Sequence, residues 1–389
     1  MRKGFFRSEL VLVSIALVCI TILGATPAVG EKNTINIGYT CGFTGPAAME
    51  FQRAAELVKG IVDEVNAAGG IHGRQIKIFV ADDGNDPARV MGNLKRFRER
   101  DNCTVMLLSG TSTANFAGKA WAEKNSVPAI CGNAQSDGLL AKPGQKAWWF
   151  STCPHTRHYI GAMGVRAREL GHKKVGVECS TLAWGQDGLN MIKKHAPKYG
   201  LEVVGVVQAE PKTKDLTIQA RTLRDTGAEM AMLVEYAAEK GVWARAMKDI
   251  GWDAYVLSMS GGMMADALLA YPAELFEGWE VVLMSDISKP RCKKVWDKYE
   301  EIKGKRLEAI DLTGVWDAIH VLLEAVRLSD NPDNPKAIRE AFYKIKDLPM
   351  AIGREGAKAS YAPGKNCTVT PEDVAIGVVK SGKIVGLGK

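Results

Sequence analysis

Short apolar segments of strand length alternate with longer segments of helical periodicity over most of the chain, and this alternation constrains the fold most strongly. The predicted strands fall into two runs: 35–40, 75–81, 105–108, 127–131 and 148–152, then 174–179, 202–208, 229–234 and 254–258. The predicted helices are 49–68, 87–101, 113–124, 157–169, 184–197, 215–226 and 236–249. Strands that alternate with helices of this length form parallel sheets covered on both faces. The two runs therefore predict an α/β fold with two doubly wound parallel-sheet lobes.

The C-terminal part of the chain departs from this pattern. Long helical stretches are predicted at 289–328 and 335–345, and a hairpin is predicted at 374–387 around Ser381-Gly382-Lys383. We expect the chain to cross back to the first lobe and then to return to the second, through a hinge of several strands. The expected boundaries are 31–152 with 285–350 for the N-terminal lobe, 153–284 with 351–389 for the C-terminal lobe, and hinge strands near 150–155, 281–286 and 347–360.

The first thirty residues have the pattern of a secretory signal peptide. A positively charged start at 1–7 precedes an apolar run at 10–23, and Ala28-Val29-Gly30 has the small residues of a cleavage site. The apolar run is shorter than the roughly 20 residues that a membrane-spanning helix needs. We therefore expect residues 1–30 to be removed by cleavage near Gly30 and the mature protein to be periplasmic.

The charge and the cysteines exclude some classes of function. The full chain has a net charge of +7, and residues 1–30 contribute about +2 of it, which leaves about +5. Basic and acidic residues alternate along predicted helices, which is typical of solvated faces and does not indicate nucleic-acid binding. No cysteine after position 30 belongs to a CxxC pair, which argues against zinc and thioredoxin-type chemistry. Their odd number leaves at least one thiol free, and the sequence fixes no pairing among Cys41, Cys103, Cys131, Cys153, Cys179, Cys292 and Cys367.

The segment 105–123 raises the question of a phosphate-binding loop, because it runs from a predicted strand through a turn into a helix. A phosphate loop needs Gly-x4-Gly-Lys-[Ser/Thr]. Here seven residues separate Gly110 from Gly118, and Lys119 is followed by Ala120. We therefore expect no nucleotide cofactor.

The same turn is nevertheless a candidate anion site. The first turn of a helix has unpaired N–H groups and a partial positive charge, so that it can bind a carboxylate without a basic side chain. The hydroxyl groups of Thr111, Ser112 and Thr113 add possible donors. The alternative interpretation of these residues is plain N-capping.

Polar and aromatic residues follow other predicted strands, at the edge where ligands sit in doubly wound folds. Asn133 and Gln135 follow a strand of the first run, and Trp184, Tyr236 and Ser260 follow strands of the second. Two aromatic rings opposite a carboxylate-binding turn would clamp a small, partly apolar anion. The alternative for each aromatic residue is packing between helices.

An exported hydrolase would need a nucleophile with a base, or metal ligands. The sequence contains neither HExxH nor GxSxG. His155 and His158 could be metal ligands, but their place at a predicted helix start favours a structural role. We expect no catalytic residue, no metal and no cofactor.

Several motifs occur in the order found in one known family. They are Gly42-Phe-Thr-Gly-Pro46, a helix into Asn66-Ala-Ala-Gly-Gly-Ile-His-Gly-Arg74, Ile78 to Asp83 with Asp86-Pro87, and the weaker Gly110–Thr113 with Val127-Pro128, Trp184-Gly185 and Val378–Lys383. With them the chain, from about Thr34 to Lys389, resembles the periplasmic solute-binding proteins of branched-chain amino-acid-type ABC transporters, which have the type I periplasmic binding fold.

The resemblance implies a monomeric, exported binding protein without enzymatic activity. It would bind a small-molecule ligand by closing two lobes on it and deliver that ligand to an ABC transporter permease. The permease would be its contact with the membrane. In the family, the turn matching Gly110 to Thr113 and the strand tip matching Asn133 to Gln135 hold a ligand carboxylate. The residues matching Trp184 and Tyr236 cover it from the other lobe.

One position departs from the family pattern. The leucine/isoleucine/valine binders use an acidic residue for the ligand ammonium, and that position falls near Ser260, where no acid stands. Glu235 or Asp266 could substitute as the ammonium partner, but neither aligns with that position. Because an ammonium buried without a partner is costly, the sequence favours a carboxylate without an amino group. An amino acid, an amide or urea, and a ligand-sensing receptor of the same fold remain alternatives.

Overall fold

The computed structural model describes residues 34–45 and 47–387. The predicted signal peptide at 1–30 and its cleavage site lie outside the described residues. In the described part of the chain, none of the helices has both the length and the hydropathy to cross a membrane.

The first sheet is entirely parallel. Its strands are β1 (Thr34–Cys41), β2 (Gln75–Asp82), β3 (Val105–Ser109), β4 (Ala129–Cys131) and β5 (Trp149–Ser151), in the order β2-β1-β3-β4-β5. The helices within this part of the chain are α1 (Ala48–Ala67), α2 (Pro87–Glu99) and α3 (Ser112–Asn125). Cys41 is in register with Ser109, and Leu108 with Cys131, so the carboxyl ends of three strands meet at one edge.

The second sheet is mixed. The remaining strands are β6 (Lys174–Ser180), β7 (Glu202–Ala209), β8 (Met230–Val234), β9 (Tyr255–Ser258), β10 (Glu280–Leu283), β11 (Leu348–Pro349), β12 (Lys358–Ala359), β13 (Ala375–Lys380) and β14 (Lys383–Gly386). The sheet order is β14-β13-β10-β9-β8-β6-β7, while β11 and β12 form a separate ribbon. Strands β6 to β10 pair in parallel, and the predicted hairpin β13–β14 adds antiparallel strands at the β10 edge. The helices of this part are α4 (Thr156–Glu169), α5 (Ala183–His195), α6 (Thr217–Asp225), α7 (Ala237–Asp249) and α8 (Gly261–Ala270).

The last helices return to the first sheet. They are α9 (Pro290–Lys303), α10 (Asp311–Leu328) and α11 (Pro335–Lys344). Helix α10 packs on α1, β3 and β4, whereas the following hairpin pairs with β10. Isolated bridges join Ser151 to Cys367 and Ser285 to Gly353 where segments cross. The α/β fold with parallel sheets is thus confirmed, while the lobe boundaries stay a prediction.

Two elements differ from the sequence interpretation. The predicted helical stretch 289–328 is divided, because Gly304 adopts a φ of 66° and ends α9. Helix α8 was not predicted, since it begins with Gly261 and Gly262, which are poor helix formers. Side chains at these positions would collide: a Cβ on Gly261 would lie 2.5 Å from Leu283, and one on Gly262 would lie 2.9 Å from Asp311.

Helix α10 also approaches the end of β4 very closely. A Cβ on Gly132 would lie 2.2 Å from the carbonyl oxygen of Gly314. The same carbonyl accepts a hydrogen bond from Thr152 Oγ1 at 3.0 Å. The loop that follows β4 is therefore held against the first turn of α10.

All the cysteines of the described residues are buried free thiols: Cys41, Cys103, Cys131, Cys153, Cys179, Cys292 and Cys367. Burial raises their pKa values, that of Cys131 to about 11. At neutral pH these groups are neutral thiols inside the core.

Candidate functional site

The predicted site residues, except Thr113, line one cavity of about 30 Å³. Its lining residues are Glu50, Phe51, Gly110, Thr111, Ser112, Asn133, Gln135, Trp184, Tyr236, Ser260 and Met263. All are buried apart from Asn133, which is half-buried. The space corresponds to about one or two water molecules, so a solute of amino-acid size would need the cavity to widen.

The start of α3 forms one wall of this cavity. Thr111 is its N-cap, with Oγ1 accepting a hydrogen bond from Ala114 N at 3.4 Å, so the capping interpretation holds for that residue. Ser112 Oγ accepts from Gln135 N at 3.2 Å, which ties the α3 turn to the loop after β4. Thr113 instead accepts from Ala183 N at 3.4 Å, outside the cavity lining.

The opposite wall comes from residues that follow strands of the second sheet. The rings of Trp184 and Tyr236 meet edge to face, with centroids 5.4 Å apart. Trp184 Nε1 is buried without a hydrogen-bond partner. Ser260 has a φ of 67°, which is uncommon for a serine, and its Oγ accepts from Met263 N at 3.5 Å. Strained backbone of this kind is often kept at ligand sites.

Several helices direct their first turns at the cavity. Glu50 lies in the first turn of α1, Ser112 begins α3, Trp184 lies at the start of α5, and Tyr236 and Ser260 are the N-caps of α7 and α8. Each helix start carries a partial positive charge. Together they create an electrostatic environment that favours an anionic group.

Glu50 was missed by the sequence interpretation. Its Oε1 accepts a hydrogen bond from Asn133 Nδ2 at 2.7 Å, and its side chain is 4% exposed. Burial, and then the nearby Asp311 and Asp266, raise the pKa of this carboxyl well above its usual range. No local signal in the sequence separates Glu50 from Glu56 and Glu64 on the same helix.

A buried ion-pair cluster lies behind Glu50. Arg53 Nη1 is 2.6 Å from Asp266 Oδ1, and Nη2 is 3.2 Å from Asp311 Oδ2. The three side chains, from α1, α8 and α10, are 8%, 3% and 1% exposed. Burial raises the pKa of Asp266 to about 6. Asp266, considered above as an ammonium partner, is therefore engaged by Arg53.

Glu235, the other acid considered above, faces a separate cluster inside the second sheet. Burial and the neighbouring Glu178 raise the pKa of Glu235 well above its usual range. Lys240, in the first turn of α7, donates a hydrogen bond to Ser258 Oγ at 2.7 Å. Neither Glu235 nor Lys240 belongs to the cavity lining.

The histidines and the lysine considered in the sequence have structural contacts. His155 Nδ1 is 2.9 Å from Ser136 O, and His158 Nδ1 accepts from His155 N at 3.1 Å at the start of α4. Burial lowers the pKa of His155 to about 3, which keeps it neutral. Lys119 lies within α3 and pairs with Glu123, not with the α3 turn.

Comparisons with known proteins identify the family and the fold of this chain. The Leu/Ile/Val-binding protein homolog 3 of Brucella melitensis is 25% identical over 321 residues, which cover 82% of this chain and 86% of that protein. The substrate-binding protein LivJ of Streptococcus pneumoniae, solved with isoleucine, is 20% identical, has a TM-score of 0.79 and covers 91% of this chain and 99% of its own. A solute-binding protein of Rhodopseudomonas palustris, solved with 3,4-dihydroxybenzoic acid, is 18% identical, has a TM-score of 0.78 and covers 92% and 97%.

At these identities the solved structures share the fold, with the same two-sheet α/β architecture. The family of periplasmic binding proteins matches residues 34–370, which is most of the chain. This chain therefore belongs to the periplasmic binding protein family, and its relatives include Leu/Ile/Val-binding protein homologues.

Proposed function

We propose that this protein binds a small carboxylate-type solute outside the cytoplasm and delivers it to an ABC importer. The observation that carries the proposal is the single cavity formed by helix starts and aromatic rings from the ends of both sheets. Family membership supports a periplasmic location and a permease as partner.

The chemistry of the cavity supports a carboxylate as one part of the ligand. The α3 turn provides the N–H groups of Ser112 and Thr113, which precede the capped Ala114 N–H. Trp184 Nε1 is a further buried donor without a partner. A carboxylate held by helix starts needs no basic side chain.

Closure of two lobes is the mechanism that fits a cavity lined from both sheets. Thr111, Ser112 and Asn133 follow strands of the first sheet, and Trp184 and Tyr236 follow strands of the second. The ligand docks on the residues beside one sheet and gains contacts with the residues beside the other sheet only in the closed form. It thereby shifts the population towards that form.

The first experiment is a thermal-shift and calorimetric screen of the protein from residue 31 onwards. The compounds are branched-chain and aromatic amino acids, the corresponding deaminated acids, primary amides and urea. A ligand that binds the folded state raises the melting temperature. Binding of amides or urea without any carboxylate would contradict the proposal.

The Tyr236→Ala variant tests the aromatic wall. Loss of the ring contact should cost about 1–3 kcal/mol, which weakens binding of the best solute roughly 5- to 150-fold. Tyr271→Ala is the matched control, because Tyr271 bonds Ala238 O through its hydroxyl group outside the cavity. Equal affinities of Tyr236→Ala and the unsubstituted protein would refute the account of the site.

Measuring solute uptake by cells distinguishes a role in delivery from a role in ligand sensing. Cells that lack the gene should lose high-affinity uptake of the radiolabelled solute and regain it with the intact gene. Unchanged uptake together with tight binding would favour the ligand-sensing alternative.

A further inference from the structure

The cavity contains buried hydrogen-bond acceptors that a bound carboxylate cannot satisfy, because a carboxylate brings only acceptors of its own. Asn133 gives its Nδ2 to Glu50, and its Oδ1 is buried without a partner. Gln135 Oε1 is also buried without a partner, and it lines the same cavity. A buried acceptor left unmatched costs free energy, so these atoms indicate a ligand that also brings N–H donors.

The charges around Glu50 point in the same direction. Glu50 and Asp311, from the first turns of α1 and α10, lie near Asp266 from the second turn of α8, and Arg53 is the cation placed among them. Three carboxyl groups therefore share a single cationic partner within this cluster. A cationic group in the cavity reduces this imbalance, whereas an uncharged group leaves it unchanged.

From this geometry we propose that Glu50 is the specificity-determining residue that binds a cationic nitrogen of the ligand, an ammonium group next to its carboxylate. The inference rests on the proposed function and narrows its ligand to a zwitterion. It also changes the expectation from the sequence, where the lack of an acid near Ser260 favoured a deaminated acid. The acid comes from α1, on the same side of the cavity as the α3 turn.

This placement has a consequence for the order of contacts. Glu50, Asn133 and the α3 turn, which face the two charges of the zwitterion, come from the segment 48–135, and Trp184 Nε1 adds a donor from the other wall. The residues on the other wall, Trp184, Tyr236 and Met263, supply rings and a thioether. The charged head of the ligand is thus bound first, and the wall from the second sheet then encloses its side chain.

The alternative is that Glu50 only supports Asn133. Glu50→Gln distinguishes the two, because a glutamine can still accept the Asn133 hydrogen bond but carries no charge. The probes are two matched pairs, leucine with 4-methylpentanoate and phenylalanine with 3-phenylpropanoate. Glu64→Gln, on the same helix with its side chain 63% exposed, is the control.

We expect the unsubstituted protein to prefer the amino acid of the better pair by about 100-fold or more, since its buried charge pair is lost in the deaminated acid. Glu50→Gln should lower that preference to less than about tenfold, and Glu64→Gln should keep it. Affinity for the amino acid should also rise between pH 5 and pH 8, because Glu50 must be ionised to bind an ammonium group, and burial, followed by the nearby Asp311 and Asp266, raises its pKa well above the usual range. That rise should be absent in Glu50→Gln.

The outcomes separate the inference from the proposed function. If the deaminated acid binds as tightly as the amino acid, or Glu50→Gln weakens both equally, the inference is wrong and the carboxylate-binding function stands. If neither pair, nor any other carboxylate of the screen, binds the unsubstituted protein, the proposed function itself is wrong. An intact apo melting curve for Glu50→Gln shows that a loss of preference does not come from unfolding.

Discussion

Replacing Arg53 by methionine should destabilise the protein strongly and in a pH-dependent way. The guanidinium group lies 2.6 Å from Asp266 and 3.2 Å from Asp311, and all three side chains are almost fully buried. Methionine fills much of the same volume but leaves two carboxylates and Glu50 without this cation. Removing one partner of a buried ion pair costs about 3–5 kcal/mol, because the remaining charge stays desolvated.

This cost can be converted into a melting temperature. An unfolding entropy near 2.1 cal/mol/K per residue gives roughly 0.7 kcal/mol/K over residues 34–387, so the loss corresponds to about 4–7 °C. The measurement is differential scanning calorimetry of the ligand-free proteins at pH 8 and pH 5. Arg306→Met is the control, since Arg306 also meets three carboxylates but at the surface, where ion pairs contribute little.

The sign of the pH dependence follows from the raised pKa values of Asp266 and Glu50. Loss of Arg53 raises both further, so at pH 5 the folded variant holds protons that the unfolded chain has already released. Its stability therefore recovers as the pH falls from 8 to 5. A Tm deficit that is absent at pH 8, or equally large at both pH values, would refute the reasoning.

Substitutions at Gly132 and Asp317, each with a control, test the packing that positions the site. Gly132→Ala should lower the free energy of unfolding in urea by about 1–3 kcal/mol, because the added Cβ would lie 2.2 Å from Gly314 O. The control is Gly92→Ala in the interior of α2, where no atom lies within 4 Å of an added Cβ, and it should stabilise the protein by about 0.5–1 kcal/mol. Equal effects of the two substitutions would contradict the close approach. Asp317→Ala should lower the free energy of unfolding by about 2–5 kcal/mol, because the N–H groups of Ala351 and Ile352 each lose an acceptor at 2.7 Å. Asp317→Asn should lower it less. An Asp317→Ala variant as stable as the unsubstituted protein would argue against these bonds.

The elements that sequence could predict are those fixed by local pattern. Strands such as β3 and β8 are wholly buried and therefore appear as continuous apolar runs between turn residues. The N-cap Asp86 with Pro87 marks the start of α2, and its carboxylate accepts from the N–H groups of Ala88 and Arg89. In contrast, α8 begins at two glycines that close packing requires, and no local propensity announces such a helix.

The same distinction holds for the site. Thr111, Asn133 and Tyr236 were found because they follow strands, and parallel strands bring their ends to one edge. Glu50 was not found in the sequence, since nothing local distinguishes it from Glu56 or Glu64 on the same amphipathic helix. Its burial depends on α8 and α10, which lie more than two hundred residues later in the chain. Only the tertiary structure reveals such a contact.

The buried cysteines place a demand on how this protein is made. An exported chain meets an oxidising compartment before it is folded, and while unfolded its thiols are exposed and ionise more readily than in the core. Folding sequesters every described cysteine and raises its pKa, so the native state is protected from oxidation. Before that point, folding competes in time with random disulfide formation. We therefore expect the yield of folded protein to depend on the rate of folding as well as on the stability of the fold.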